Sequence, residues 1–181
     1  MTRQPALLRR EGTTLDGRPY LIRPTQAGEA AAIVALQDAV AAEGEFIAAL
    51  PGDREAMEQE LLLSGILSSG GLSVSLDVGG TLSGHLLVVR RADHDQTHIG
   101  DLAIIVENAA RGLGLGRALM ETAIDWARAV RLGKLCLAVF TTNERAIGLY
   151  RSLGFVDEGV LRRQVRLSGG DRDVLLMGLA L

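Results

Sequence analysis

Leu102 to Met120 reads L-A-I-I-V-E-N-A-A-R-G-L-G-L-G-R-A-L-M. The apolar run L-A-I-I-V predicts a strand, and the polar linker after it leads to glycines at alternate positions, Gly112, Gly114 and Gly116. An amphipathic helix pattern follows, with Leu115, Leu119, Ala123, Trp126 and Val130 at helical spacing. Glycine lets a backbone turn tightly and approach a ligand closely. Just ahead of a helix, it leaves the first helical N–H groups free to hold an anion. The segment therefore suggests a phosphate or pyrophosphate cradle, flanked by the guanidinium groups of Arg111 and Arg117. A glycine-rich turn without a ligand is the plain alternative.

Two familiar glycine motifs do not fit. A dinucleotide fingerprint needs G-x-G-x-x-G after the first strand of a βαβ unit. Here the third glycine arrives one residue early, and position 117 is arginine. A P-loop ends in G-K-[ST], and Lys134 is the only lysine of the chain. A second segment, Asn143 to Gly159, reads N-E-R-A-I-G-L-Y-R-S-L-G-F-V-D-E-G. Asn143 is a good N-cap. Ala146, Leu149 and Tyr150 share a helical face. Gly154 suits the residue just past a helix end, with Phe155 packing back behind it.

The two segments together, in this order, resemble the GNAT superfamily of N-acetyltransferases. The family's pyrophosphate-loop motif [RQ]-x-x-G-x-[GA] is matched by Arg111-Gly112-Leu113-Gly114-Leu115-Gly116. Its later motif N-x-x-A-x-x-[LF]-Y-x-x-x-G-F is matched by Asn143, Ala146, Leu149, Tyr150, Gly154 and Phe155. The layout likeness spans roughly residues 15 to 180, and the specific part is 101 to 159.

The resemblance implies an α/β fold, with a mixed twisted sheet of six to seven strands and helices on both faces. It implies acetyl-CoA as co-substrate. The pantetheine would lie in a gap beside the strand that precedes the loop, against the backbone of Ile104, Ile105 and Val106. Arg111, Gly112, Leu113, Gly114, Gly116 and Arg117 would hold the pyrophosphate, and Asn143 would also touch the coenzyme. Tyr150 would face the coenzyme sulfur as general acid. From free values of about 10 for a phenol and about 8.5 for a thiol, full proton transfer is uphill by roughly 2 kcal/mol. A hydrogen bond to the leaving thiolate is thus as reasonable as transfer. Related enzymes often carry glutamate five residues before the last strand valine. Asp101 holds that place before Val106 and is expected to activate the amine through water, because it is one methylene shorter. An exposed strand aspartate is the plain alternative.

Composition sets the frame. A chain of 181 residues fits one domain with a single core. We expect residues 1–13 to be a flexible end or short extra strand, and 14–181 to be the single domain. A formal net charge of −3 argues against nonspecific nucleic-acid or membrane binding. Cys136 is alone, which excludes a disulfide framework or cysteine metal site. No apolar run is long enough to span a membrane, and the first residues lack a signal-peptide core. The expected location is the cytoplasm.

Periodicity and turn signals give the order βααβββαβαββ. A strand is read at Arg18–Arg23 and helices at about Gln26–Ala42 and, capped by Asp53, to Leu67. A hairpin turns at Gly79–Gly80, and a last hairpin turns at Ser168–Arg172. Asp93, His94, Asp95 and His98 form a polar cluster that matches no zinc spacing, so no metal is expected. His85 alternates with apolar residues in a strand and suits a satisfied core or cleft position. Glu43, Glu45, Phe46 and Arg162, Arg163, Arg166 fall in regions that border the acceptor groove in the family.

The expected activity is acetyl transfer from acetyl-CoA to a primary amine, foremost the α-amine of an amino acid or peptide. The acceptor is a small molecule or peptide, and a homodimer is compatible with this reading. Ribosomal-protein N-termini are a near alternative as acceptors. A non-catalytic acyl-CoA sensor on the same fold is the rival from another class, and Tyr150 argues against it. An aminoacyl-tRNA acetyltransferase would favour a basic surface for RNA phosphates, which a chain of net charge −3 does not suggest.

Overall fold

The computed structural model describes residues 8–181. Its elements are β1 (Arg10–Thr13), β2 (Pro19–Pro24), α1 (Ala30–Ala41), α2 (Ala56–Ser68), β3 (Leu72–Val78), β4 (Thr81–Arg90), β5 (Ile99–Val106), α3 (Leu115–Ala129), β6 (Lys134–Phe140), α4 (Glu144–Ser152), β7 (Val156–Leu167) and β8 (Gly170–Ala180). The strands form one mixed sheet in the order β1-β2-β3-β4-β5-β6-β8-β7. Among the described strands only β5 and β6 run parallel, joined through α3.

Among the described residues the strand count is eight rather than six to seven, because a strand precedes the expected first one. Its sequence, R-E-G-T, is short and polar and alternates between half-buried and exposed positions. It becomes a strand by pairing with β2 (Arg10 opposite Ile22) across a turn where Gly17 takes φ +87°. Residues 1–7 of the expected flexible end lie outside the described residues. Among the described residues, no helix is long and apolar enough to cross a membrane.

Two helix starts also differ from the periodicity. The Glu29 carboxylate accepts from the Gln26 N–H at 2.6 Å, which holds the residues before Ala30 in a turn. The α2 cap is Glu55, in a reciprocal capping box with Glu58. Asp53 instead accepts from the Leu50 N–H at 2.6 Å.

Strict alternation along β3 separates the two faces of the sheet. Leu72, Val74, Leu76 and Val78 join the main core with Leu86 and Val88 of β4 and Leu119, Ala123 and Trp126 of α3. Ser73, Ser75 and Asp77 point to the opposite face. The helix α1 buries Ile33, Leu36 and Val40, and α2 buries Leu63 and Ile66, outside that main cluster. The sheet thus carries a dry layer under α3 and a second layer, part polar, under α1 and α2.

The feature that positions a site is the parting of β5 from β6. They pair only at Ile99–Lys134, Gly100–Leu135 and Asp101–Cys136. Beyond those pairs β5 stays on β4 as far as Val106, whereas β6 stays on β8 as far as Phe140. A wedge opens between them.

Candidate active site

The wedge is the floor of a cleft of about 1010 Å³. Leu102 to Val106 form one wall and Leu137 to Phe140 the other. The glycine loop and α4 close one end, and the α1–α2 side closes the other. Of the sequence-predicted residues, the cleft gathers Ile104, Ile105, Val106, Arg111, Gly112, Gly114, Gly116, Arg117, Asn143 and Tyr150. Leu113 packs against the main core instead. Asp101 is not among the lining residues.

Hydrogen-bond alternation fixes which backbone groups of β5 are available. The Glu107 N–H donates to Ser83 O at 2.9 Å, and Ile99 O accepts from the Arg91 N–H at 3.1 Å. Both partners flank or belong to the β4 side. In an antiparallel strand, the N–H and C=O of one residue point the same way and neighbours alternate. Residues 99, 101, 103, 105 and 107 therefore bond toward β4. Leu102, Ile104 and Val106 direct their peptide groups into the wedge. Ile105 offers the wedge no backbone donor, which narrows the expected trio to Ile104 and Val106.

The loop between β5 and α3 is built by glycine. Gly112 and Gly114 take φ +81° and +85°, where L side chains are rare. Gly114 is the N-cap of α3, and the first intrahelical bond runs from the Ala118 N–H to Gly114 O. The N–H groups of Leu115, Gly116 and Arg117 lack intrahelical partners. A β-carbon on Gly114 would meet no protein atom within 4 Å. The space beside it belongs to the cleft.

The guanidinium groups divide differently from the sequence reading. Arg111 forks onto the Glu43 carboxylate (both 2.7 Å), donates from Nε to Val106 O (2.9 Å) and lies 4.4 Å from the Phe46 ring centroid. It ties the α1–α2 connection to the glycine loop, so it is committed to protein rather than standing open for phosphate. Arg117 donates to the Ser152 hydroxyl at 2.6 Å. Arg145 lines the cleft, with its guanidinium 2.9 Å from where a β-carbon on Gly112 would sit. Sequence reading passed over Arg145, although its place two residues after the Asn143 cap was the available signal.

Asp101 stands apart from the cleft lining. Arg91 holds it from both sides, Nε to Oδ2 at 2.9 Å and Nη2 to Oδ1 at 2.8 Å. It sits at the last pair before the strands part, outside the cleft lining. A carboxylate so engaged is poorly placed to take a proton from an amine in the wedge. The arginines of the last hairpin are likewise paired: Arg162 with Asp173, and Arg163 and Arg166 with Asp171. They do not line the cleft. Among the described residues, no cluster of three or more His, Cys, Asp or Glu could hold a metal ion.

Tyr150 lies on the inner face of α4, 7% exposed, with its ring centroid 6.1 Å from that of Phe155. Its hydroxyl has no partner among the described residues, yet no fully buried side-chain oxygen there lacks one. The hydroxyl therefore opens onto the cleft. Burial pushes its pKa up to about 12. Asn143 caps α4 by accepting from the Ala146 N–H at 3.2 Å, which leaves its amide NH₂ toward the cleft.

His85 on β4 lines the cleft. It is 3% exposed and bonded through Nε2 to Ser73 Oγ at 2.9 Å. Burial lowers its pKa to about 4, against an opposing pull from the Glu29 charge. The folded value lies below the ordinary 6.5, so between them the unfolded chain binds more protons. Stability contributed by the neutral ring is complete above about pH 6.5 and is lost as pH falls toward 4. The loss amounts to about 3 kcal/mol. Urea titrations across that window should show wild type losing stability more steeply than His85→Gln. Equal slopes would contradict the burial of a neutral ring.

The sequence model of the acetyltransferase (GNAT) family matches residues 40–155. Streptothricin acetyltransferase of Streptomyces lavendulae is 30% identical over 79% of this chain and 85% of its own length. The N-alpha-acetyltransferase RimI of Mycobacterium tuberculosis is 39% identical over 51% of this chain. The match spans just over half, 57%, of that relative's length. A solved acetyltransferase of the GNAT family from Streptococcus pneumoniae superposes with a TM-score of 0.83 at 32% identity, covering 90% of this chain and 99% of that one.

Proposed function

Because the chain belongs to the acetyltransferase (GNAT) family, we propose that it transfers the acetyl group of acetyl-CoA to a primary amine, the α-amine of an amino acid or peptide. One observation carries the reading: a continuous path from the uncapped N-terminus of α3, along the wedge-facing peptides of Ile104 and Val106, to the open hydroxyl of Tyr150.

The pyrophosphate lies on the N–H groups of Leu115, Gly116 and Arg117, favoured by the helix dipole. Arg145 and Arg117 stand beside it. The pantetheine adds to the free edge of β5 as an extra strand would, gaining main-chain hydrogen bonds. A wedge-facing N–H polarises the thioester oxygen as charge develops there. The neutral amine attacks the carbonyl carbon, the C–S bond breaks, and Tyr150 donates a hydrogen bond to the departing thiolate.

The acceptor end supports an α-amine. Among the described residues no Asp or Glu lines the cleft, so no carboxylate there steadies a persistent ammonium. Arg54 does line it, bonded to Gln59 Oε1 at 3.1 Å, and can meet a substrate carboxylate or carbonyl. At neutral pH roughly a tenth of α-amines are uncharged, against fewer than one in a thousand lysine side chains. The name of the RimI relative points the same way. The test is thiol release from acetyl-CoA with matched α-amine and lysine side-chain acceptors. A higher kcat/KM for the α-amine is expected, rising with pH through its own titration. A higher value for the lysine side chain would overturn the choice of acceptor.

A further inference from the structure

With Asp101 engaged by Arg91 outside the lining, the cleft itself offers no carboxylate base among the described residues, and the polar layer beneath α1 supplies a base of another kind. A chain of hydrogen bonds runs from His85 to Glu29. His85 Nε2 and Ser73 Oγ are 2.9 Å apart, Ser73 Oγ and Thr25 Oγ1 2.8 Å, Thr25 Oγ1 and Ser75 Oγ 3.1 Å, and Ser75 Oγ and Glu29 Oε2 3.1 Å. Burial raises the Glu29 pKa, but Arg23, which forks onto it, and the Gln26 N–H outweigh that, so the carboxylate stays ionised.

Counting protons fixes every direction in this chain. An ionised carboxylate only accepts, so the Ser75 hydroxyl donates to Glu29. Each hydroxyl has one proton, so the Ser75–Thr25 contact uses that of Thr25. The Thr25–Ser73 contact then uses that of Ser73. Nothing remains for Ser73 to give His85, so the ring must donate from Nε2–H. The proton therefore sits on Nε2, and Nδ1 carries a bare lone pair. Nδ1 has no partner among the described residues, where no fully buried nitrogen goes unpaired. It opens onto the cleft, on the strand next to the wedge wall and opposite Ile105.

We propose that His85 is the catalytic base, its Nδ1 taking the proton of the attacking amine directly or through one water. This rests on the acetyl-transfer reading above. The amine lone pair forms the C–N bond, and the C–S pair leaves with sulfur. One amine proton passes to Nδ1, and the resulting imidazolium later gives it to water. While charged, the ring keeps its Nε2–H on Ser73, and the Glu29 charge at the end of the chain offsets part of the burial that disfavours the imidazolium, so the proton is held only briefly before it passes to water. Arg23 and Asp77, which are bonded to one another (2.8 Å), complete the charged groups behind Glu29. From the α1–α2 connection the cleft receives Arg54, and the facing stretch of β5 carries no charge. Ser73, Thr25, Ser75 and Glu29 are positioning residues that set the tautomer.

Two measurements test the proposal. Nitrogen-15 NMR of histidine-labelled wild type, assigned with His85→Gln, should show His85 protonated at Nε2 and bare at Nδ1 at neutral pH. Ser75→Ala should mix the tautomers and lower kcat, and Ser75→Thr should restore both. With acetyl-CoA and an N-terminal alanine peptide, His85→Gln should lower kcat about a hundredfold with acetyl-CoA affinity unchanged. An Nδ1–H tautomer in wild type, or unchanged kcat in His85→Gln, overturns the proposal. If wild type acetylates no amine, the acetyl-transfer reading fails and this role for His85 fails with it. A turning-over wild type with the wrong tautomer removes only His85.

Discussion

Gly114→Val abolishes acetyl-CoA binding and leaves the sheet folded. The residue adopts φ +85° as the N-cap of α3, where a β-branched side chain is strained. The expected cost to stability is on the order of 1–3 kcal/mol, which a domain of this size survives. Its effect on the ligand is larger. A β-carbon there meets no protein within 4 Å, so the added methyl groups enter the space assigned to the pyrophosphate. They also cover the N–H groups of the first turn of α3. Calorimetric titration with acetyl-CoA should give no measurable heat, while circular dichroism remains that of wild type. Wild-type affinity in a folded variant would remove the cradle from this loop.

Tyr150→Phe lowers kcat by roughly ten- to a hundredfold, with acetyl-CoA affinity little changed. The phenylalanine keeps the ring against Phe155 and deletes only the hydroxyl that opens onto the cleft. With the phenol pushed up to about 12, full proton transfer to a thiolate of ordinary basicity is uphill by about 5 kcal/mol. That is well beyond the roughly 2 kcal/mol of the free groups. Tyr150 therefore acts as a hydrogen-bond donor to the departing sulfur, and the thiolate takes its proton from solvent. A hydrogen bond to a charged group contributes about 1.5–3 kcal/mol, which sets the expected range. The contact strengthens as sulfur gains charge, so the loss appears in kcat. Equal turnover in both proteins would reduce Tyr150 to a packing residue.

The parts legible in the sequence were those written in local chemistry. The glycines before α3 and the cap, face and terminus of α4 follow from short-range rules, and they supply one end of the cleft. Contacts between distant segments were not legible. Arg111 looked like a phosphate ligand because its partner, Glu43, lies far back in the chain and meets it only through the α1–α2 connection. Asp101 looked free because Arg91 reaches it across the β4–β5 pairing. The strand β1 was hidden because R-E-G-T has no apolar face of its own and depends on β2. The alternation of Ser73, Ser75 and Asp77 marked a polar face in β3. Its meaning required Thr25 and Glu29 from the β2–α1 connection and His85 from β4.

The central claim is that this cleft joins an acetyl group to an α-nitrogen. Its most direct test is product analysis of wild-type protein incubated with acetyl-CoA and a peptide bearing both a free N-terminus and a lysine side chain. Mass spectrometry with fragmentation should place one acetyl group on the N-terminal nitrogen, with one equivalent of coenzyme A thiol released for each amide formed. Coenzyme binding without any acetylated peptide, or thiol release without amide, would contradict it and leave an acyl-CoA-binding protein in place of an N-acetyltransferase.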